Sequence, residues 1–254
     1  MRRGGLPQDG ETAAILEDGM KSLSRMIACA AFAAAMTIHE AQAQNPPVPL
    51  IDGPTYTMTY VEVVPSATTR AIAMLKEYRD ASRKEPGAMS ADIYQEDGQS
   101  HRFVLSEIWQ NRGAVAAHTK AAASTGLLEK LKTIELGPLD VRIHQAHSVT
   151  PPKPPAANDV IVISHIDVAG GNTQNLINAF APLWEGSRKE TGMVRYEILD
   201  EVPAHVNHFR SFEEWSNLAA FEAHNRSPHM QTYRNTVLAW LGTPFDQRLY
   251  KLVN

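Results

Sequence analysis

SRKEPG, residues 82–87, occurs a second time as SRKETG, residues 187–192, and this repetition decides the fold. The match extends along the chain, because FVLSEIW at 103–109 corresponds to FRSFEEW at 209–215. In both copies a histidine follows the tryptophan nine residues later. Matching positions stay 105 to 106 residues apart throughout, so the chain contains an internal duplication and not a chance similarity.

Each copy has the residue pattern of a β-α-β-β-α-β unit. Strands are favoured by β-branched and aromatic residues, helices by apolar residues three and four apart, and turns by pairs such as Asp97-Gly98. In the first copy this predicts strands at 57–64, 89–96, 102–110 and 140–149, and helices at 66–85 and 114–133. In the second copy it predicts strands at 159–168, 193–200, 206–212 and 245–253, and helices at 173–190, 213–224 and 228–241.

The predicted fold class is α+β. A four-stranded antiparallel sheet with both helices on one face is the ferredoxin-like arrangement, which leaves the other face of the sheet bare. Two such units can bury their bare faces against each other and close an eight-stranded barrel. Because one chain supplies both units, the two repeats are expected to form an intramolecular dimeric α+β barrel. Further homo-oligomer formation stays open.

Residues 1–43 are interpreted as an N-terminal extension plus signal peptide, with Met20 as the expected start. Positive residues after Met20 precede an apolar stretch at 26–38, and Ala41-Gln42-Ala43 has the form of a cleavage site. Cleavage is expected after Ala43. The apolar stretch is too short to cross the roughly 30 Å of a bilayer. We therefore expect a periplasmic or secreted protein with no stable membrane anchor.

Proline clusters mark the remaining boundaries. They predict a spacer at 44–55, a first repeat at 56–149, a linker at 150–158 and a second repeat at 159–254. The formal net charge is −4, so there is no excess positive charge to bind a phosphate backbone, and nucleic acid is not expected as a partner. The single cysteine, Cys29, lies inside the signal peptide. The mature chain would therefore have no disulfide and no thiolate nucleophile.

The sequence contains no recognisable motif for a metal or cofactor. It has neither a glycine-rich phosphate-binding motif nor a nucleophile elbow. His205 and His208 are close in sequence, but no third ligand follows at a known metal spacing. The sequence therefore predicts no metal site and no cofactor.

The residues resemble those of the antibiotic biosynthesis monooxygenase family of dimeric α+β barrel proteins. The resemblance rests on the E-x-W pairs at 107–109 and 213–215, the glycines at 87 and 192, and the segment AFEAHNRSPHM at 220–230. It implies a pocket between sheet and helices in each unit. It also implies oxidation by dioxygen of a deprotonated, electron-rich phenolic compound, without metal or flavin.

Four residues are predicted to be catalytic and four to bind substrate. The resemblance places His118 and His224 beside the pockets, and histidine titrates near neutral pH, so both are acid/base candidates. Glu107 and Glu213 lie two residues before the tryptophans and share a strand face with them. The predicted substrate-binding residues are Trp109 and Trp215, which would stack on a small aromatic substrate, together with Tyr60 and His165, which would point into a pocket or the barrel interior.

The favoured function is cofactor-independent oxidation of a small phenolic, quinol or anthrone-like compound. Two alternatives stay open: a non-catalytic barrel that binds a hydrophobic ligand or haem, and a structural or assembly barrel in which the tryptophans only fill the core. The second repeat is richer in aromatic residues, whereas residues 114–123 of the first are rich in alanine. We therefore expect the second repeat to carry the site.

Overall fold

The computed structural model describes residues 53–146, 155–202 and 207–254. The predicted signal peptide, nearly all of the spacer at 44–55, the larger part of the linker at 150–158 and His205 lie outside the described residues. Within the described ranges, no helix combines the length and the apolar character that a membrane crossing requires.

Both repeats have the predicted β-α-β-β-α-β order, with the second helical region divided in two. The first repeat contains β1 (Thr55–Glu62), α1 (Thr68–Ser82), β2 (Ala88–Glu96), β3 (Arg102–Trp109), α2 (Arg112–His118), α3 (Ala122–Leu131) and β4 (Asp140–Ala146). The second repeat contains β5 (Val160–Asp167), α4 (Thr173–Ser187), β6 (Met193–Glu201), β7 (His208–Trp215), α5 (Leu218–Asn225), α6 (Pro228–Val237) and β8 (Asp246–Leu252).

Two predicted helix boundaries are wrong. The single helix expected at 114–133 is two helices, because the first ends at His118 and the second begins behind Ala121, whose backbone is extended. The first of them begins earlier than predicted, behind Asn111, whose side chain accepts a hydrogen bond from the amide of Ala114. The helix expected from residue 213 begins only behind Asn217, whose side chain accepts from the amide of Ala220. Asparagine at this position satisfies free amides of the first turn and so fixes the start of the helix. Strand β7 therefore continues through Trp215.

The eight strands form one closed antiparallel barrel in the order β1-β3-β2-β8-β5-β7-β6-β4. Each repeat contributes the four-strand order of a ferredoxin-like sheet, β4-β1-β3-β2 and β8-β5-β7-β6. The sheets join at two seams, where β2 pairs with β8 and β4 pairs with β6. Closure leaves neither sheet with an unpaired edge strand. The predicted intramolecular dimeric barrel is confirmed.

Apolar residues fill three layers of the molecule. The barrel interior is packed with Tyr56, Met58, Tyr94, Ile161 and Phe212 among others. A second cluster lies between the first sheet and its helices, and a third between the second sheet and its helices. Because both faces of each sheet are covered, β3 and β7 are buried along almost their whole length, and this burial includes the charged residues Glu107, Arg210, Glu213 and Glu214.

The glycine of the repeated motif is required by its backbone and by its surroundings. Gly87 has φ of +85°, and a Cβ placed there would lie 2.7 Å from the Cβ of Ala114. Gly192 has φ of +88° and would meet Ala220 at the same 2.7 Å. In both repeats the turn after the first helix passes this close to the helix that follows the third strand. The turn therefore fixes where that helix lies.

We expect Gly87→Ala to lower the free energy of unfolding by about 2 to 4 kcal/mol, through a strained backbone and overpacking. Gly98→Ala is the matched control, because Gly98 has φ of +78° but open space around a new Cβ. The control should lose only about 1 kcal/mol, the backbone part of the cost. Urea unfolding of both variants measures the difference. Equal losses would show that the contact with Ala114 does not matter.

Candidate functional site

A buried histidine is held between an acid and a phenol in the first repeat. His118, the last residue of α2, is 4% exposed. Its Nδ1 lies 2.9 Å from Oε2 of Glu85, and its Nε2 lies 2.6 Å from the hydroxyl of Tyr78 on α1. The Glu85 carboxylate favours the tautomer with the proton on Nδ1. Nε2 is then free to accept the Tyr78 proton.

The Tyr78 hydroxyl connects this histidine to the predicted acid of the strand. It lies 3.2 Å from Oε2 of Glu107, which also accepts a hydrogen bond of 3.0 Å from Thr57 on β1. Glu107 Oε2 and His118 Nε2 are themselves 3.6 Å apart. The four groups Glu85, His118, Tyr78 and Glu107 thus form a continuous hydrogen-bonded chain, in which a proton on the phenol can move toward either neighbour.

Burial sets the ionisation of this chain. It raises the pKa of the Glu107 carboxyl above its ordinary value, although His118 and the hydroxyl donors oppose the shift. Burial also raises the pKa of Tyr78 far above its ordinary value, and the nearby Glu107 adds to the effect. Tyr78 is therefore neutral at physiological pH and able to donate its proton. Burial thus favours the neutral forms of both Tyr78 and Glu107.

A cavity of about 110 Å³ opens beside Tyr78, between α1 and α3. Small and apolar side chains line most of it, namely Met74, Ala81, Ala123, Gly126 and Leu127. Glu77 and Lys130 also line it and form an exposed ion pair of 2.7 Å. Tyr78 belongs both to the cavity wall and to the buried chain. Tyr78 therefore contacts both the cavity and His118.

The second repeat keeps the histidine and its acid but not the phenol. His224 Nδ1 lies 2.7 Å from Oε2 of Glu190, as His118 does from Glu85. Leu183 occupies the position of Tyr78. His224 Nε2 consequently has no hydrogen-bond partner among the described residues and lies 4.0 Å from Oε2 of Glu213. Burial lowers the pKa of His224, while Glu190 opposes that shift.

Larger side chains fill the space in the second repeat that is open in the first. His229 and Tyr233 stand where the first repeat has Ala123 and Leu127. A Cβ added to Gly186, the counterpart of Ala81, would lie 2.5 Å from Cγ of His229. The sequence favoured the second repeat because of its aromatic residues, but these residues occupy the pocket. The geometry favours the first repeat instead.

The structure brings the predicted histidines and glutamates together, but it gives the predicted substrate-binding residues other neighbours. Trp109 and Trp215 are 0% exposed and lie tilted over the imidazoles, with ring centroids 4.3 Å from His118 and 4.6 Å from His224. They pack against the histidines and line neither of the two cavities found in the described residues. Tyr60 and His165 lie at a separate cavity at one end of the barrel.

Two residues that complete the site were missed by sequence reasoning. Glu85 belongs to the repeated SRKE segment, whose charged residues are typical of a solvated helix end. Its carboxylate instead contacts the buried imidazole, and Glu190 does the same in the other copy. The signal was the joint repetition of this glutamate and the histidine. Tyr78 gave no such signal, since only the first repeat has it.

Two groups of side chains have a geometry that could hold a cation. They are His165 with Asp167 and His208, and Glu190 with His224 and His229. The sequence offered no third ligand for His208, whereas the register of β5 and β7 places Asp167 opposite it, 2.8 Å away. Arg142 lies 3.4 Å from Nε2 of His165, and its positive charge opposes a cation there. The expectation that the protein uses no metal stays a prediction.

The fold and the site define a class: a tandem α+β barrel with a buried Glu–His pair in each half. A family model described as antibiotic biosynthesis monooxygenase matches residues 54–129 and 159–236. The chain therefore belongs to the antibiotic biosynthesis monooxygenase family, as the sequence motifs predicted.

Individual proteins are similar to parts or most of this chain. The Synechocystis sp. protein sll1783 is 26% identical over 94 residues, which are 37% of this chain, and the chain spans 64% of that protein's length. The Bacillus subtilis protein YcnE, which carries a monooxygenase name, is 28% identical over 82 residues, 32% of this chain and 86% of YcnE. A solved Fusobacterium nucleatum structure, also named as a monooxygenase, has a TM-score of 0.71 at 15% identity and covers 81% of this chain and 94% of its own. That structure supports the fold alone.

Proposed function

We propose that this protein is a cofactor-independent monooxygenase that oxidises a small phenolic or quinol-like compound in the cavity of the first repeat. The observation that carries the proposal is the 2.6 Å contact between the Tyr78 hydroxyl and Nε2 of His118, at the wall of that cavity. Family membership supplies the reaction class. The buried chain supplies a base that an electron-rich hydroxyl compound needs.

The first step is removal of a proton from the substrate hydroxyl. The substrate gives its proton to the Tyr78 oxygen while Tyr78 passes its own proton to Nε2 of His118. Glu85 stabilises the resulting imidazolium, because its carboxylate contacts Nδ1 at 2.9 Å. Trp109, whose indole lies tilted over the imidazole, packs against the ring and holds it in place. The product of this step is an electron-rich phenolate in a mostly apolar cavity.

The second step is oxidation of this anion by dioxygen. The carbanion form of the substrate anion supplies the electrons, and a carbon–oxygen bond forms. His118 returns its proton through Tyr78 to the distal oxygen, which gives a hydroperoxide. The oxygen–oxygen bond then breaks, the distal oxygen leaves as water with the hydrogen of the same carbon, and a carbonyl remains. For a quinol the balance is quinol plus dioxygen to hydroxyquinone plus water. No external reductant is required.

The cavity limits the substrate to a small molecule. Its volume of about 110 Å³ equals roughly four water molecules at the liquid share of each. A single-ring quinol is therefore a better candidate than a three-ring anthrone. Ala81, Ala123 and Gly126 contribute the space, since none of them has a side chain beyond Cβ.

Dioxygen uptake by the full chain, freed of metal with a chelator, tests the proposal on a panel of hydroquinones and phenols. We expect uptake above autoxidation, with the hydroxyquinone as product and water in place of hydrogen peroxide. Absence of uptake on every compound, with saturable binding of the same compounds, would reject the enzyme and leave a ligand-binding barrel.

We expect Ala123→His to raise KM for the best substrate at least about tenfold, because it places in the first repeat the side chain that fills the second. The matched control is Ala117→His on α2, where the alanine is exposed and away from the cavity. Initial rates of dioxygen uptake at varied substrate concentration measure both variants. An unchanged KM in Ala123→His would place the substrate elsewhere.

A further inference from the structure

A second cavity, of about 200 Å³, lies at one end of the barrel where the two repeats meet. Its lining consists mainly of matching residues of the two copies: Tyr60 with His165, Asp140 with Asp246, and Arg142 with Arg248. It is formed by strands and is separate from the cavity between α1 and α3. The pocket therefore exists only because the two repeats are joined in one barrel.

Two of its arginines are held by protein groups in the same way. Arg142 binds Asp140 through Nε and Nη2, and Arg248 binds Asp246 through the same two nitrogens. Each also reaches across a seam of the barrel: Arg142 Nη1 lies 3.3 Å from Glu201, and Arg248 Nη1 lies 3.7 Å from Glu96. In both repeats these ion pairs link one sheet to the other across a seam. They account for the positions of Arg142 and Arg248 without a bound ligand.

The third arginine has no counterpart and no such partner set. Arg210 on β7 is 1% exposed, and the first repeat has Val104 at its position. Its Nη1 donates to the carbonyl of Phe209, and its Nη2 lies 3.5 Å from Glu201, a carboxylate shared with Arg142. Its Nε makes no well-formed hydrogen bond in the part of the chain that the structure describes, and the hydroxyl of Tyr60 lies beside the guanidinium. A buried guanidinium with an unmatched N–H is costly unless something accepts from it.

The remaining lining suits a flat organic anion. Tyr60 and Tyr250 each present an aromatic ring with one hydroxyl, and Ile163 adds apolar surface. Burial, followed by the charge of Arg210, lowers the pKa of His165 to about 4, so this ring is neutral at physiological pH. Asp140 and Asp246 are about half exposed and already bound to their arginines, so solvent screens their charge from the interior.

We propose that this barrel-end cavity binds a small carboxylate with a flat apolar body, such as a single-ring aromatic acid, through Arg210. A carboxylate accepts two parallel hydrogen bonds from Nε and Nη2 of a guanidinium, which is the pairing that arginine geometry favours. Nη2 carries two N–H groups, so it can donate one to the ligand and direct the other toward Glu201. The ring of the ligand packs against Tyr250 and Ile163, and the Tyr60 hydroxyl, which lies beside the Arg210 guanidinium, donates to the carboxylate. The cavity holds a volume equal to roughly seven water molecules, which admits one ring with its carboxylate.

Calorimetric titration of the full chain with benzoate tests the proposal. We expect saturable binding with Kd on the order of 1 mM or tighter, and binding of uncharged benzamide at least about tenfold weaker. Arg210→Val, which installs the residue of the first repeat, should raise Kd by about ten- to hundredfold. Tyr78→Phe, in the other cavity, should leave Kd unchanged. Dioxygen uptake should not change in Arg210→Val, so the two cavities are tested independently.

Several results would overturn the proposal. They are equal binding of benzoate and benzamide, no saturable binding, an unchanged Kd in Arg210→Val, or loss of binding in Tyr78→Phe. If Arg210→Val fails to fold by circular dichroism, the isosteric Tyr60→Phe replaces it. That variant removes one hydroxyl donor and should weaken benzoate binding about threefold or more. An unchanged Kd in a folded Tyr60→Phe variant would count against the site equally.

Discussion

Tyr78→Phe should lower kcat for quinol oxidation by about 10²- to 10⁴-fold, the usual contribution of a positioned proton-transfer group. The substitution keeps the ring that packs in the core and lines the cavity, and it removes only the hydroxyl that contacts His118 at 2.6 Å and Glu107 at 3.2 Å. KM should change little, because the cavity wall keeps its shape. Stopped-flow or electrode measurement of dioxygen uptake, with thermal unfolding as a folding check, gives the comparison.

The second repeat provides the control for this prediction. Tyr233 is also buried beside the acid of its strand, but its hydroxyl has no hydrogen-bond partner among the described residues. Tyr233→Phe removes the same atom and should leave the uptake of dioxygen unchanged. If Tyr233→Phe abolished activity and Tyr78→Phe did not, the reaction would belong to the second repeat. A small loss in Tyr78→Phe with the fold intact would mean that the substrate proton does not pass through this phenol.

The duplicated motif was enough to predict the barrel, because strand order within a ferredoxin-like unit follows from its chain order. The four free edges then need partners, and the structure pairs them as β2–β8 and β4–β6. The boundaries that failed depend on the backbone or side chain of single residues. The extended backbone of Ala121 separates α2 from α3, and the Asn217 side chain fixes the start of α5. A pattern of apolar residues averages over several positions and does not register one cap.

The chemical site was less accessible to the sequence than the fold. The Tyr78–His118 contact joins residues 40 positions apart on different helices, and nothing in either segment indicates the other. Aromatic residues suggested a ligand site in the second repeat, but Tyr233 and Trp184 pack there. Trp184 donates to the carbonyl of Tyr196, and Phe180 stacks on Tyr233. The cavity lies where side chains are small. Small residues in a sequence are equally consistent with tight helix packing, so composition alone does not predict the cavity.

A buried acid in the second repeat should make stability depend on pH. Glu213 is 1% exposed, and burial raises its pKa from 4.5 to about 7, against the hydrogen bonds that it accepts from Trp215 and Ser211. Between these two pKa values the folded state binds more protons than the unfolded state. The free energy of unfolding therefore falls as pH rises through this window. The shift corresponds to roughly 3 kcal/mol at most.

Glu213→Gln removes this titration while keeping the shape and a carbonyl acceptor for Trp215. His224 acts in the opposite sense, because burial lowers its pKa, so its contribution to stability increases as pH rises through the ordinary histidine value. The variant retains His224, and subtracting its curve from that of the wild type isolates Glu213. We expect the wild type to lose about 2 to 3 kcal/mol relative to Glu213→Gln between pH 5 and 8, measured by urea unfolding.

Glu222→Gln, an exposed change on α5, should give a curve parallel to that of the wild type. Parallel curves for Glu213→Gln as well would mean that Glu213 is ionised in the fold. In that case the ionised Glu213 carboxylate would stabilise positive charge on or near His224.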